Sequence, residues 1–84
     1  MTYSLYILKC ADGTYYTGIT TDVTRRVGEH NGQSGKGAKY TSSRRPVTLV
    51  YEDSFPSRSD ALKEELRVKK LTRPQKKDLI SQMT

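Results

Sequence analysis

The stretch that decides the fold is Tyr3–Thr20, YSLYILKCADGTYYTGIT. Its two ends are rich in Tyr, Ile, Leu and Thr, residue types that fit the pleated, half-buried surface of a sheet. Between them stands Ala11-Asp12-Gly13, which is typical of a β-hairpin turn. The stretch therefore predicts two antiparallel strands, over Tyr3–Cys10 and Tyr15–Thr20.

The length of the hairpin turn decides which side chains share a face of the sheet. A two-residue Asp-Gly turn places Tyr6 and Tyr16 on opposite faces. A three-residue turn, with Gly13 in the left-handed region, instead places Tyr6 opposite Gly18 and makes Tyr16 its diagonal neighbour on the same face. In that register Gly18 leaves open space beside both rings. The sequence alone leaves both registers open.

Beyond the hairpin, apolar periodicity and capping residues predict one more strand and three helices. The glycine-rich stretch Asn31–Ser43 has no apolar period and is predicted to be a loop. The order is then β-β-α-β-α-α, which gives one small α+β domain over residues 1–84. The predicted elements are a helix over Val23–His30 capped by Thr21 or Asp22, a strand over Val47–Tyr51, a helix from Ser57 to about Leu71, and a last helix capped by Thr72 with Pro74 in its first turn.

Positive charge is distributed unevenly along the chain. The 15 Lys and Arg against nine Asp and Glu give a net charge of +6. Six bases and one acid lie between Arg25 and Arg45, an excess of +5. Such an excess favours polyanions, of which phosphate backbones are the commonest, although a solvated surface gives the same pattern.

Several classes of protein are excluded by composition. No apolar run approaches the 18 or so residues of a membrane span, and no secretory signal opens the chain, so we expect no contact with a membrane. The single cysteine, Cys10, excludes an internal disulfide framework and a cysteine-based zinc site, and the single histidine, His30, excludes a multi-histidine metal site. We therefore expect a reduced, cytoplasmic protein.

The helix predicted over Val23–His30 carries two unusual residues on its inner face. A helix turns by about 100° per residue, which places Val23 and Val27 on one stripe. Arg26 and His30 fall on that stripe, whereas Arg25 falls on the opposite side. Two interpretations stay open: Arg26 reaches water from the edge of the stripe while His30 caps or packs, or both residues serve a site.

The helix that begins at Ser57 contains a glutamate within its apolar arc. Glu65 falls in the middle of that arc, whereas its neighbour Glu64 faces water. An inward carboxylate needs a partner or a metal, because an unpaired buried charge is costly. A salt bridge to an inward base such as Arg26 is the alternative to a metal. The apolar arc consists of Ala61, Leu62, Leu66 and Val68.

The order and spacing of these residues resemble the signature of the GIY-YIG nucleases. Ser4-Leu5-Tyr6 matches the first half-motif and Tyr16-Thr17-Gly18 the second, and the second tyrosine follows the first by ten residues. Arg26 follows the second tyrosine by ten residues, and His30 and Glu65 match later positions of the signature. The resemblance covers nearly the whole chain and is strongest to the small stand-alone proteins of this superfamily.

Some positions depart from the family pattern. Ser4 and Leu5 replace Gly and Ile of the first half-motif, and Thr17 replaces Ile of the second. These are backbone or packing positions, so the signature is retained. Ile19 stands where some relatives carry a lysine, and Lys76-Lys77 occupies the region where several relatives carry an asparagine.

The resemblance implies a small three-stranded antiparallel sheet flanked by helices, in agreement with the element order. It also implies an endonuclease of low sequence specificity that hydrolyses single-stranded or branched DNA in repair or recombination. Glu65 would hold Mg²⁺ or Mn²⁺, Arg26 would bind the phosphate, and Tyr6 would act as general base, with Tyr16 and His30 assisting. Because a phenol with a pKa of about 10 is a weak base at pH 7, Arg26 and the metal must lower that pKa, or Tyr16 must help.

The loop that ends at Arg45 would track the DNA backbone. Its stretch GKGAKYT (Gly35–Thr41) is typical of the small relatives, and it lacks the spacing of a nucleotide-binding P-loop. Tyr40 would stack on an exposed base or, alternatively, anchor the loop in the core. The expected nucleic-acid contacts are Lys36, Lys39, Tyr40, Arg44 and Arg45.

Two other functions stay open at this point. One is a catalytically weak module that binds DNA or RNA, in which Glu65 and Tyr6 do not matter for affinity. The other is a nuclease subunit that borrows its specificity from a protein partner, because a chain of 84 residues leaves little room for a second domain.

Overall fold

A three-stranded antiparallel sheet forms the centre of the computed structural model, which describes residues 2–32 and 39–82. The strand order is β2-β1-β3, so β1 is paired on both sides. This arrangement confirms the predicted α+β class and its flanking helices. The elements are β1 (Tyr3–Lys9), β2 (Tyr15–Thr20), α1 (Val23–His30), α2 (Lys39–Ser42), β3 (Thr48–Phe55), α3 (Arg58–Lys69) and α4 (Arg73–Ser81).

Two elements differ from the predictions. The four-residue helix α2 (Lys39–Ser42) lies within the predicted loop, where the sequence has no apolar period. Strand β3 extends to Phe55 instead of ending at Tyr51, because β1 pairs with it along its whole length, from Lys9↔Thr48 to Tyr3↔Phe55. Backbone pairing with the central strand thus extends β3 through polar residues that carry no strand pattern.

The hairpin has the three-residue turn. Gly13 has a φ of +85°, in the left-handed region that glycine adopts without strain, and the Cys10 N–H donates to the Thr14 carbonyl at 2.8 Å. Tyr6 is therefore paired with Gly18, and Tyr16 is paired with Leu8 on the same face. The second of the two registers considered above is confirmed.

The two faces of the sheet bury separate apolar clusters. Tyr6, Leu8 and Cys10 point to one face, where Val23 and Val27 of α1 pack against them. On the other face, Leu5 and Ile7 pack with Val68 of α3, and Leu79 and Ile80 of α4 close that cluster. The alternation of β1 therefore assigns α1 to one side of the sheet and the last two helices to the other.

The face of α3 that packs against the sheet differs from the predicted face. Ala61 and Val68 are fully buried, whereas Leu66 is 59% exposed, so its placement on the inner face was wrong. Glu65 lies beside the buried arc, with a side chain that is only 15% exposed. The small side chain of Ala61 lets this part of the helix approach the sheet closely, and Leu66 is left on the outer side.

The helices of the protein are short and largely polar. Within residues 2–32 and 39–82, the longest helices fall short of the length and apolar character that crossing a membrane requires.

Candidate active site

A chain of three buried polar side chains lies between β1, α1 and α2. The Tyr6 hydroxyl is 2.9 Å from Nε2 of His30, and Nδ1 of His30 is 2.8 Å from Oγ1 of Thr41. His30 and Thr41 are fully buried and Tyr6 is nearly so. In a neutral imidazole one ring nitrogen donates a hydrogen bond and the other accepts one. The hydrogen bonds from Tyr6 through His30 to Thr41 therefore all run in the same direction. The arrangement holds the Tyr6 hydroxyl at a fixed point.

Both ends of α1 are fastened, and this fixes the position of His30. The Asp22 side chain caps the first turn by accepting from the Arg25 N–H at 3.0 Å. At the other end, the Asn31 side chain both donates to and accepts from the backbone of Val47. Nε of Arg45 donates to the carbonyl of His30 at 2.9 Å. His30 is therefore held by its backbone as well as by its ring.

Gly18 provides the space that the Tyr6 ring occupies. A Cβ atom at this position would lie 2.5 Å from the Tyr6 hydroxyl oxygen and 2.7 Å from its Cζ. Such distances are far inside van der Waals contact, so a side chain here would push the ring away from His30. The tyrosine of the first half-motif can therefore occupy its position only if the paired residue of the second half-motif is glycine.

Two further tyrosines line the same face. The Tyr16 ring lies 5.0 Å from the ring of His30 and 6.5 Å from that of Tyr6, measured between centroids. The centroid of the Tyr40 ring lies 5.7 Å from that of Tyr16, and Tyr40 is 39% exposed. The guanidinium of Arg44 lies 4.0 Å from the centre of the Tyr40 ring. Tyr40 is therefore partly covered by Arg44 and partly open to a ligand.

Arg26 lies beside the Tyr6 hydroxyl and forms its ion pair within α1. Its Nη1 is 2.9 Å from Oε1 of Glu29. The same guanidinium lies close enough to the Tyr6 hydroxyl to lower the pKa of that phenol. Glu65 makes its ion pair with Lys69, with 3.5 Å between Oε2 and Nζ. The alternative of a structural Glu65–Arg26 bridge therefore lacks support in the ion pairs of the described residues.

The electrostatics keep Tyr6 and His30 uncharged near neutral pH. Burial raises the pKa of Tyr6 to about 12, against the lowering effect of Arg26 and together with the raising effects of Tyr16 and Glu65. Burial, followed by the positive charge of Arg26, lowers the pKa of His30 to about 4. Arg26 alone does not bring the pKa of Tyr6 below its usual value, because desolvation by burial outweighs the effect of the arginine.

The lowered pKa of His30 predicts a loss of stability in mild acid. The folded protein keeps His30 neutral down to about pH 4, whereas the unfolded chain takes up the proton from about pH 6.5. This stability is present above pH 6.5 and is lost as pH falls towards 4, by about 2–3 kcal/mol in all. Urea unfolding followed by circular dichroism at pH 7 and pH 4.5 measures it. A His30→Gln variant should lack this pH dependence, and an equal fall in the variant would contradict the assignment.

The donor set at Glu65 fits a magnesium-like ion. Mg²⁺ is usually bound by one or two carboxylates together with waters and substrate phosphates. Glu65 provides one such carboxylate, and it lies close enough to Tyr6 to raise the pKa of that residue. Within residues 2–32 and 39–82 there is no cluster of three or more His, Cys, Asp or Glu, which a closed all-protein site would need. The residues therefore suit an open site with a single protein ligand.

Among the cations predicted to bind DNA from the loop, the two that the structure describes with their side chains have protein partners. Nε of Arg44 pairs with Oδ2 of Asp12 at 3.0 Å, and its Nη1 donates to the Tyr40 carbonyl at 2.8 Å. Arg45 holds the end of α1, as described above. Lys36 and the side chain of Lys39 lie outside the described residues.

Sequence reasoning missed Thr41. A buried histidine needs a partner for each ring nitrogen, so a hydroxyl could have been sought in the loop. The candidates Thr41, Ser42 and Ser43 are adjacent, however, and only the turn of α2 decides which one reaches His30.

Comparison with known proteins identifies the family. The profile of the GIY-YIG catalytic domain matches residues 2–78, a range that contains every signature position from Tyr6 to Glu65. The chain belongs to the GIY-YIG family. Membership implies endonuclease activity on DNA, and GIY-YIG nucleases generally depend on a divalent metal.

Relatives of similar size share both sequence and fold. A UPF0213 protein of Halobacterium salinarum is 57% identical over 75 residues, which cover 89% of this chain and 95% of the relative. The solution structure of a UPF0213 protein from Bacillus halodurans is 51% identical, with a TM-score of 0.61 over 96% of this chain and 84% of that one. A solution structure from E. faecalis is 44% identical, with a TM-score of 0.67 over 99% and 86% of the two chains.

Proposed function

We propose that this GIY-YIG domain is a metal-dependent endonuclease that hydrolyses phosphodiester bonds of single-stranded or branched DNA, with low sequence specificity, in repair or recombination. The observation that carries the proposal is the buried Tyr6 hydroxyl, which contacts His30 and Arg26 in the space left by Gly18. The cytoplasm is the proposed location, in keeping with the free, buried thiol of Cys10.

Tyr6 is the proposed general base, and His30 is its positioning residue. Tyr6 accepts a proton from the attacking water at Oη, for which it must first be a phenolate. With a pKa of about 12, only about one molecule in 10⁵ is in that form at pH 7. His30 stays neutral and holds the oxygen in place through Nε2. Tyr16, which contacts the ring of His30, limits the movement of both residues.

Arg26 and Glu65 are the residues proposed to stabilise the negative charge of the phosphate, the first directly and the second through a metal ion. Arg26 donates to the non-bridging oxygens, where negative charge accumulates, and exchanges part of its contact with Glu29 for them. Glu65 would hold Mg²⁺ or Mn²⁺ together with waters. When bound, the ion supplies positive charge for the phosphate and for the leaving 3′ oxygen.

The proposed role of Tyr40 predicts a preference for unpaired bases. Its ring is 39% exposed, and a base can stack on it once Arg44 moves aside. End-labelled single-stranded, branched and duplex DNA of the same sequence should be cleaved in that order of rate, with at least about a tenfold gap before duplex, given about 1–3 kcal/mol per stacked base. A Tyr40→Leu variant should close the gap. Equal rates on all three substrates would contradict this part of the proposal.

The pH dependence of cleavage tests the role of Tyr6. Cleavage should rise about tenfold per pH unit between pH 7 and pH 9, because the phenolate fraction does so. Tyr6→Phe should lower the rate by about 10²–10⁴ and abolish the rise. Tyr15→Phe, on the other face of the sheet, is the matched control and should keep both. A rise that persists in Tyr6→Phe would assign the base to another group.

A further inference from the structure

The densest run of cations lies near the end of the chain and not in the predicted DNA-binding loop. Between Leu66 and Lys77 there are six bases and no acid, within 12 residues. This run covers the last turn of α3, the connection, and the first half of α4. The contacts assigned to DNA so far do not include it.

Three cations in each of the two basic stretches have protein partners, whereas two exposed lysines of the later run are available. Arg26, Arg44 and Arg45 each contact an acid or a carbonyl oxygen of the protein. Lys70 and Lys77 are exposed, and within residues 2–32 and 39–82 neither ammonium group has an ion pair or a hydrogen bond. An ammonium group without a protein partner can bind a phosphate without breaking an existing contact.

The cations near the start of α4 do not stabilise that helix. The N-terminus of a helix carries partial positive charge, so cations in its first turn are unfavourable and acids are preferred. Helix α4 begins with Arg73, has Lys76 and Lys77 within its first five residues, and has no acid in its first turn. Capping of α3 explains Arg67 and Lys69, which lie in its last turn, but it does not explain these residues.

The run adjoins the candidate active site. Lys69 lies one helical turn after Glu65 and pairs with it at 3.5 Å. Arg73 donates to the Gly13 carbonyl at 2.8 Å and lies 5.6 Å from the centre of the Tyr15 ring, which joins α4 to the tip of the hairpin. The start of α4 is therefore held against the hairpin turn and the first residue of β2.

We propose that this region, the junction surface, binds the phosphodiester backbone of DNA on one side of the bond that is cut. Its placement relative to that bond rests on the proposed function, whereas its affinity for DNA does not. Lysines bind phosphate oxygens as point charges, and such contacts carry no sequence information directly, which agrees with the proposed low sequence specificity. The junction surface consists of Lys69, Lys70, Arg73, Lys76 and Lys77.

Binding to a labelled single-stranded oligonucleotide in EDTA tests the junction surface without cleavage. The variant Lys70→Gln/Lys77→Gln is compared with Arg58→Gln/Lys63→Gln, which removes the same charge from exposed positions nearer the start of α3. Two lost phosphate contacts on a single strand reduce the slope of log K against log salt by about 1.4. Wild type should therefore lose about sevenfold more affinity than the junction variant between about 50 and 200 mM salt. The control variant should retain the wild-type slope.

The outcomes separate the junction surface from the proposed function. Equal slopes for the two double variants would overturn the junction surface, because binding would then follow net charge alone. If the slope falls only in the junction variant while wild type cleaves no DNA with Mg²⁺ or Mn²⁺, the surface stands and the endonuclease proposal falls. If wild type cleaves but all three slopes agree, the endonuclease stands and the surface falls.

Discussion

Glu65→Gln is expected to reduce DNA cleavage by at least about 10³-fold while the protein stays folded. The amide keeps the shape of the side chain but loses the charge that a divalent ion needs. The ion pair with Lys69 is long and partly exposed at the lysine, so its loss should change the free energy of unfolding by less than about 1 kcal/mol. Single-turnover cleavage and thermal unfolding of the same preparation measure both quantities.

Glu64→Gln is the matched control for this experiment. Glu64 is adjacent in sequence but pairs with Arg67 through two contacts on the outside of α3. We expect near-wild-type cleavage and DNA affinity from this variant. Similar losses of cleavage in the two variants would show that the effect follows the charge of α3, and would contradict a specific role for Glu65.

Gly18→Ala is expected to destabilise the protein by about 1–3 kcal/mol and to reduce cleavage by about 10²-fold. The added methyl carbon would lie 2.5 Å from the Tyr6 hydroxyl oxygen and 2.7 Å from its Cζ, and that hydroxyl is held by its contact with His30. Displacing the hydroxyl breaks its contact with His30 and moves the proposed base, and small displacements of a catalytic group are costly. Urea unfolding and single-turnover cleavage give the two effects.

A double-mutant cycle identifies the partner of the added methyl group. In a Tyr6→Leu background the hydroxyl and the outer part of the ring are gone, so Gly18→Ala should cost less than about 0.5 kcal/mol. The interaction free energy of the cycle should therefore be above about 1 kcal/mol. An equal cost of Gly18→Ala in both backgrounds would mean that the methyl group meets something other than Tyr6.

The fold was predictable wherever local patterns decide it. The strands of the hairpin, the caps Asp22, Ser57 and Thr72, and the antiparallel class all follow from residue types at short range. The register of the hairpin did not follow, because Ala-Asp-Gly is compatible with two turn lengths and only packing against α1 and α3 selects one. The inner arc of α3 was misplaced at Leu66 for the same reason: a wheel shows which residues share an arc, but not which arc meets the sheet.

The proximity of the candidate site residues was easier to predict from the sequence than their electrostatics. Arg26 and Glu65 were singled out by their places on helical faces, and the structure brings both near Tyr6. The raised pKa of Tyr6 depends on burial, which the sequence does not reveal. The engagement of Arg44 depends on Asp12, which lies 32 residues away in the sequence and beside it in the fold. Long-range contacts of this kind leave no periodic signal.

Single-turnover cleavage of end-labelled branched DNA by the wild-type protein, in Mg²⁺ and in EDTA, tests the central claim most directly. We expect cuts that require the metal, leave a 5′ phosphate and a 3′ hydroxyl, and disappear in Glu65→Gln. Cuts that persist in EDTA or in Glu65→Gln, or the absence of cleavage by folded wild-type protein that still binds the DNA, would contradict it.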